Sequence, residues 1–264
     1  MQITNALREF ESTTGYVVLF ACEAGSRVWG IADKGSDYDI RFVYARPLRA
    51  YLSIVTGQDT ATWTTGNFDF CGWDIRKALS LLARNNPSIH EWLRSPTIYL
   101  KDNQFAEAIQ ALAHHCWRPK ASLYHYAHMA TKHWDRYIRS AQIVRLKKYL
   151  YVVRAALCVR WIEDTSAFPP LDTNDLTTAL PAIAPRFEFE SLLALKKEGA
   201  AEVDVFNFPA LRFFIEKEVA RWKTAQWNRA ATEYDDTTFA FSQLFYETVI
   251  RNSLKDGLYY DLTD

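Results

Sequence analysis

The sequence lacks several features that mark whole classes of protein. Its 264 residues carry 31 basic and 31 acidic side chains, so overall charge gives no indication of nucleic-acid binding. The four cysteines form no CxxC pair, and neither a zinc ribbon nor a disulfide framework is indicated. The longest apolar run, YLYVVRAALCVRWI, contains two arginines and cannot span a bilayer. The N-terminus is polar and amphipathic, unlike a signal peptide. We therefore expect a cytoplasmic protein that does not contact membranes.

The spacing of apolar residues predicts a mixed N-terminal half and a helical C-terminal half. YVVLFAC at 16–22 is typical of a central strand, YDIRFVYA at 38–45 of a second, and TWTTGNFDFCGW at 62–73 of a further strand or hairpin arm. From DIRKALSLLARN onward the period is helical, and no convincing strand follows about residue 100. We predict an α+β fold, with a small mixed sheet in a domain of residues 1–104 and an all-helical domain of residues 105–264.

Two acidic residues stand out at the start of the second predicted strand. Asp37 and Asp39 are two positions apart, so both side chains leave the same face of the sheet. Neighbouring carboxylates on an apolar face repel each other and are costly to desolvate. A divalent cation such as Mg²⁺, which prefers oxygen ligands, would relieve this cost. The alternative interpretation is a solvated strand end that helps to form a turn.

The segment before this strand has the character of an anion site. Gly25 and Ser26 follow the first strand and precede a short helical stretch. Main-chain N–H groups and a hydroxyl at a helix start can bind a phosphate. Taken alone, the pair is more typical of an ordinary helix N-cap. The combination is more specific, because a strand, the GS pair, a short spacer and a DxD strand follow one another.

This combination, AGS followed by SDYDI, resembles the DNA polymerase β-like nucleotidyltransferase superfamily, whose pattern is hG[GS], a spacer and Dh[DE]h. The segments GWDIRKALSLLARNNPSIHEWLRSPTIY and LKKYLYVVRAALCVRWI are similar to the RlaP nucleotidyltransferases, which are associated with RNA repair. The resemblance implies transfer of a nucleoside monophosphate from an NTP to a hydroxyl. It further implies that Asp37 and Asp39 hold two Mg²⁺ ions, with Mn²⁺ as a substitute, and that Gly25 and Ser26 bind the β- and γ-phosphates.

The superfamily usually adds a third carboxylate, which completes a metal site and activates the acceptor hydroxyl. Asp69, in the predicted strand NFDFC, is the preferred candidate for this catalytic and metal-binding role. Asp74 is the alternative third ligand, although its position before a long amphipathic run also suits a helix N-cap.

Three basic residues are candidates for binding the nucleotide. Arg27 directly follows the GS pair. Lys147 and Arg154 recur on one face of an apolar helix, where a cation is costly unless it meets an anion. The alternative for each is a surface side chain whose stem packs on the protein while its charge stays in water.

The acceptor cannot be read from the sequence, and neither can the oligomeric state. An RNA end is favoured only by the family association. Two other interpretations remain: nucleotidylation of a small molecule or protein, and a non-catalytic regulator that binds nucleotides.

Overall fold

The computed structural model describes residues 2–180, 183–225 and 237–255. The strands in these ranges are β1 (Val17–Ala24), β2 (Tyr38–Ala45), β3 (Thr60–Thr65), β4 (Phe68–Asp74), β5 (Ile98–Lys101), β6 (Ile143–Arg145) and β7 (Glu202–Asp204). The α-helices are α1 (Gln2–Thr14), α2 (Gly25–Val28), α3 (Leu48–Leu52), α4 (Ile75–Ala83), α5 (Pro87–Leu93), α6 (Asn103–His115), α7 (Pro119–His133), α8 (Leu146–Thr165), α9 (Thr173–Leu176), α10 (Ile183–Lys197), α11 (Pro209–Thr224) and α12 (Thr237–Lys255).

The chain forms two compact units, each discontinuous in sequence. The first contains the described parts of residues 1–24, 37–117 and 232–264, and the second those of residues 25–36 and 118–231. The domains predicted from the sequence are continuous segments, so their boundary at residue 104 stays a prediction. Within the described ranges, none of the helices is both long and apolar enough to cross a membrane.

The first unit is built on a five-stranded mixed sheet, which confirms the predicted α+β class. Its strand order is β3-β4-β2-β1-β5. The pair β2 and β4 is parallel, whereas the other neighbours are antiparallel. The segment predicted as a strand or hairpin arm forms the hairpin of β3 and β4. The edge strand β5 was not predicted, because four residues are too few to show an alternating pattern.

Both faces of this sheet are covered by helices. On one face α1 contributes Leu7 to a core with Ile40 and Phe42 of β2. On the other, Leu19 and Val43 pack in a core formed with α4, α5, α6 and α12. Alternate residues of β2 therefore enter different cores, as the period of two requires.

A glycine in β4 leaves room for an aromatic ring of β2. Gly72 of β4 lies opposite Phe42 of β2 in the parallel register. A Cβ atom at Gly72 would lie 2.2 Å from the Phe42 ring, closer than any side chain tolerates. The ring therefore occupies the volume that a larger residue would need.

The second unit is mostly helical and is organised around α8. Twelve of the 20 residues of α8 are buried, and α7, α9, α10 and α11 pack against it. A helix buried on most sides is apolar all round, which explains its long apolar sequence. The unit also contains a two-stranded sheet, β6 with β7. The expectation of an all-helical second half is wrong on this point, because strands of three residues leave no periodic signal.

Candidate functional site

The acidic residues of β2 and β4 lie side by side in the first unit. The parallel pairing of these strands sets Asp39 opposite Asp69. Adjacent strands are about 4.8 Å apart, so residues in register on one face are close neighbours. The Asp39 side chain is 23 % exposed and that of Asp69 is 41 % exposed, so both carboxylates reach solvent. The preferred third carboxylate of the sequence prediction is thus brought next to one of the two DxD aspartates.

A single arginine bridges the two carboxylates. The Nη2 atom of Arg41 donates to Asp39 Oδ1 at 2.6 Å and to Asp69 Oδ2 at 2.9 Å. Its Nη1 atom donates to the main-chain oxygens of Asp69 at 3.0 Å and Ile40 at 3.3 Å. The planar fork of a guanidinium suits such multiple acceptors. Arg41 was not among the residues predicted from the sequence, although its position two residues after Asp39 puts it on the same strand face.

Glu23 fixes the main chain of Asp39. Its side chain is buried, its Oε1 accepts from the Asp39 N–H at 2.8 Å, and its other oxygen accepts from the Tyr99 hydroxyl. The main chain of Glu23 is held by Thr97 and Ser95. Glu23 was not predicted from the sequence either, although an acidic residue within the apolar run VVLFACEA is a usable signal. The start of β2 is therefore tied to β1 and to β5.

Asp74, the alternative third ligand, is buried at the other end of β4. Its Oδ1 accepts from the Arg76 N–H, and its Oδ2 accepts from Arg46 Nε and the Tyr51 hydroxyl, each at 2.8 Å. Burial, with the nearby charge of Asp74, raises the pKa of Tyr51, so the hydroxyl stays protonated and donates. This is the helix N-cap environment that the sequence left open.

Asp37 lies in an exposed position just before β2 begins at Tyr38. Among the residues that the structure describes, no three His, Cys, Asp or Glu side chains are gathered so that they could hold one metal ion. Of the predicted set of Asp37, Asp39 and Asp69, the structure therefore brings together Asp39 and Asp69, which Arg41 bridges.

The cysteines near this pair are not activated as thiolates. Burial raises the pKa of the Cys71 thiol, which lies opposite Arg41 in the register of β2 and β4. Burial also raises the pKa of Cys22, and the negative charge of Glu23 raises it further. Both thiols are protonated at neutral pH, so a cysteine nucleophile is not indicated here.

The predicted phosphate-binding residues belong to the second unit. Gly25 has a φ of +65°, a left-handed conformation that glycine adopts without strain. Ser26 is buried, and its carbonyl accepts from the Ile31 N–H at 3.0 Å. Arg27 Nη2 donates to the main-chain oxygen of Ser36 at 2.7 Å, which closes the loop that follows α2. These contacts give the GS pair a structural role within its unit, and nucleotide binding stays a prediction.

The basic residues of α8 also have partners within the second unit. Arg154 is 3 % exposed, and its guanidinium carbon lies 4.3 Å from the centre of the Trp29 ring. Its Nη2 is 3.5 Å from the carbonyl oxygen of Leu171. Lys147 is exposed, with its Nζ 5.9 Å from the Tyr151 ring centre. Arg154 is therefore buried beside an aromatic ring rather than at the surface, and Lys147 has the exposed position that its alternative interpretation expects.

Known proteins resemble this chain over nearly its whole length. The model of the RlaP family, described as "RNA repair pathway DNA polymerase beta family", matches residues 1–245. An uncharacterised protein of Bacillus subtilis (strain 168), YcgL, is 35% identical over 259 residues, covering 97% of this chain and 98% of that protein. A crystal structure of a nucleotidyltransferase-like protein from Exiguobacterium sibiricum 255-15 aligns over 97% of this chain and 92% of its own, at 10% identity. Its TM-score of 0.33 does not establish a shared fold.

Proposed function

Because the chain belongs to the RlaP family, the RNA repair pathway DNA polymerase beta family, we propose that it transfers a nucleoside monophosphate from an NTP to a hydroxyl. One observation carries this proposal beyond the family: Asp39 and Asp69 lie in register on parallel strands and share one cation. Carboxylates that share a cation at a partly exposed strand pair are suited to metal-dependent phosphoryl chemistry.

The donor set fits a divalent ion held by few protein ligands. Mg²⁺ is commonly bound by one or two carboxylates together with substrate phosphates. Asp39 and Asp69 supply two carboxylates, and their common contact with Arg41 supports a shared position for positive charge. Asp37, the other aspartate of the DxD pattern, is proposed as a further ligand. A bound Mg²⁺ or Mn²⁺ would stabilise the charge that develops on the phosphate. A second ion of the same kind belongs to this proposal.

We assign different tasks to the two carboxylates. Asp69 is the more exposed, so it is the one that an acceptor hydroxyl reaches; it takes the proton as the hydroxyl oxygen attacks the α-phosphorus. The bond to the leaving pyrophosphate breaks in the same displacement. Asp39 is held by Glu23 through its main chain and is suited to orienting a ligand. Asp74 keeps its structural role at the start of α4.

The remaining predicted residues form the nucleotide-binding part of the proposal. Gly25, Ser26 and Arg27 would bind phosphate oxygens through N–H, hydroxyl and guanidinium groups. Arg154 would have to give up its contacts with Trp29 and Leu171 to bind the triphosphate. The proposal therefore depends less on Arg154 than on the other three residues.

The acceptor we propose is an RNA end, a choice that rests on the family description alone. Nucleotidylation of a small molecule or protein uses the same carboxylates and differs only in the acceptor. A nucleotide-binding regulator without catalysis predicts binding of NTP with no turnover.

A transfer assay tests the proposal. The protein is incubated with Mg²⁺ and each α-labelled NTP, in parallel with RNA, protein and metabolite pools. We expect label on RNA and release of pyrophosphate, both abolished by EDTA. Label on the protein or metabolite pool would identify a different acceptor, and the proposed nucleotidyl transfer would still hold. If no NTP releases pyrophosphate with any pool, the proposed enzymatic function is contradicted. The interpretation as a non-catalytic nucleotide-binding regulator would then remain.

A further inference from the structure

Arg41 already occupies the place of a counter-cation between Asp39 and Asp69. We propose that Arg41 competes with the metal for these carboxylates, so that the pair binds a divalent ion weakly until a nucleotide arrives. This inference rests on the metal-binding role proposed above and adds a means of regulating it. Binding of the metal would then depend on the nucleotide, which keeps the metal and acidic pair from combining unproductively.

The competition follows from which atoms Arg41 uses. One nitrogen, Nη2, donates to an oxygen of each carboxylate, so a metal on those two oxygens would meet a positive charge at hydrogen-bond distance. The three side chains are partly buried, at 18 %, 23 % and 41 % exposure, where charges are screened less than in bulk water.

Arg41 also has partners that are not carboxylates. Its Nη1 donates to the carbonyl oxygens of Asp69 and Ile40, which are neutral acceptors that a metal on the carboxylates does not consume. The negative charge of a triphosphate would further favour the released guanidinium, because arginine pairs well with phosphate oxygens. A nucleotide therefore brings both the metal and a new partner for Arg41.

The test is a Mn²⁺ titration without nucleotide, in which the paramagnetic resonance signal of free Mn²⁺ is measured. Arg41→Gln removes the charge and keeps a polar side chain, and we expect it to bind Mn²⁺ at least tenfold more tightly than the wild type. Lys77→Gln is the matched control, because Lys77 is a cation of the same unit that contacts Asp59 and Thr60 and not the acidic pair. Its affinity should stay within twofold of the wild type.

Equal or weaker binding by Arg41→Gln would overturn the proposal, as would equal tightening by Lys77→Gln, which would indicate a general charge effect. If Arg41→Gln does not fold, Arg41→Lys carries the test: one ammonium cannot reproduce all four contacts, and at least threefold tightening is expected. Unchanged affinity in Arg41→Lys then overturns the proposal.

The same titration with a non-hydrolysable NTP separates this inference from the proposed function. If the wild type binds Mn²⁺ with the nucleotide and the Arg41 variants bind Mn²⁺ no more tightly, the competition by Arg41 is contradicted. The proposed metal site is then unaffected. No Mn²⁺ binding by any variant, with or without nucleotide, removes the metal site and the competition together.

Discussion

Asp39 is restrained at both its main chain and its side chain. Glu23 accepts from its N–H group, and Arg41 donates to its carboxylate. The DxD pattern predicted the carboxylate, but neither partner was predicted from the sequence. Arg41 was on the same strand face and could have been found from parity alone. Glu23 could not be linked to Asp39 in advance, because their contact depends on the pairing of β1 with β2.

The charge of Asp39 should matter more for activity than for stability. We expect Asp39→Asn to reduce nucleotide transfer roughly a thousandfold, about 4 kcal/mol of transition-state stabilisation. From repulsion alone the metal-free variant would be neutral or more stable. Since Arg41 already compensates the charge, we instead expect a loss of no more than about 1 kcal/mol in the free energy of unfolding.

The measurements are the transfer rate and chemical unfolding without metal. Asp59→Asn is the control, because Asp59 pairs with Lys77 and has no contact with Arg41. Wild-type turnover in Asp39→Asn would contradict the catalytic assignment whatever its stability.

His90 should make the stability of the protein depend on pH. It is buried, with its ring 5.3 Å from that of Trp117, and burial together with the charge of Arg94 lowers its pKa to about 4. In the unfolded chain its pKa is near 6.5. Below pH 6.5 the unfolded state therefore binds a proton that the folded state refuses. Stability is fully present above pH 6.5 and falls by up to about 3 kcal/mol as the pH approaches 4.

Denaturant unfolding between pH 7 and pH 4.5 checks this effect. His90→Gln should reduce the slope of the unfolding free energy against pH, by at most the slope that uptake of one proton causes. His128→Gln, at an exposed position, should leave this slope unchanged. Identical slopes for the wild type and His90→Gln would rule out His90 as the source.

At the scale of elements, the sequence predicted those whose signal lies within their own residues. The apolar run of β1, a strand or hairpin arm in the segment of β3 and β4, and the amphipathic α4 were predicted because each has a period or a turn of its own. The parallel register that sets Asp39 beside Asp69 has no local signal, since it depends on residues 30 positions apart. The short strands β5, β6 and β7 were missed for the same physical reason: they form by pairing and not by intrinsic preference.

The packing of the Phe42 ring against β4 should be disrupted if Gly72 gains a side chain. Gly72→Ala would drive its methyl group into the Phe42 ring, and we expect a loss of about 1–3 kcal/mol in the free energy of unfolding. Because Asp69 is on the displaced strand, transfer should fall as well. Gly35→Ala is the control, since a Cβ there meets only Asp33, at 3.6 Å. A Gly72→Ala protein with wild-type stability would show that Phe42 can move aside.

At the scale of the whole molecule, residues far apart in sequence complete the core of the first unit. Phe241, Leu244 and Val249 of α12 are buried in the same core as α4 and α6. Arg251 of α12 also pairs with Asp102, the N-cap of α6, at 2.9 Å. The helical pattern of α12 was predicted from sequence, but its return to the sheet-containing unit was not, because an apolar helix face does not specify its partner.

Removing α12 should therefore destabilise the unit that carries Asp39 and Asp69. A chain that ends at Ala225 is expected to aggregate or to melt at a much lower temperature than the full chain, because apolar surface on α4 and α6 would face water. Leu244→Ala in the full chain should cost about 2–4 kcal/mol. Thermal unfolding of both proteins, compared with the variant Gln243→Ala at an exposed position of the same helix, provides the check. An undiminished melting temperature after truncation would mean that α12 is dispensable.

The late position of α12 has a consequence for synthesis on the ribosome. The sheet and the helices up to Trp117 emerge first, yet they must wait for Thr237–Lys255 before their core is covered. At a translation rate of ~5–20 residues per second, this delay lasts on the order of ten seconds. During this delay, the nascent chain exposes apolar surface that chaperones and neighbouring nascent chains can bind. The acidic pair is thus carried by a unit whose sheet is synthesised well before the helix that completes its core.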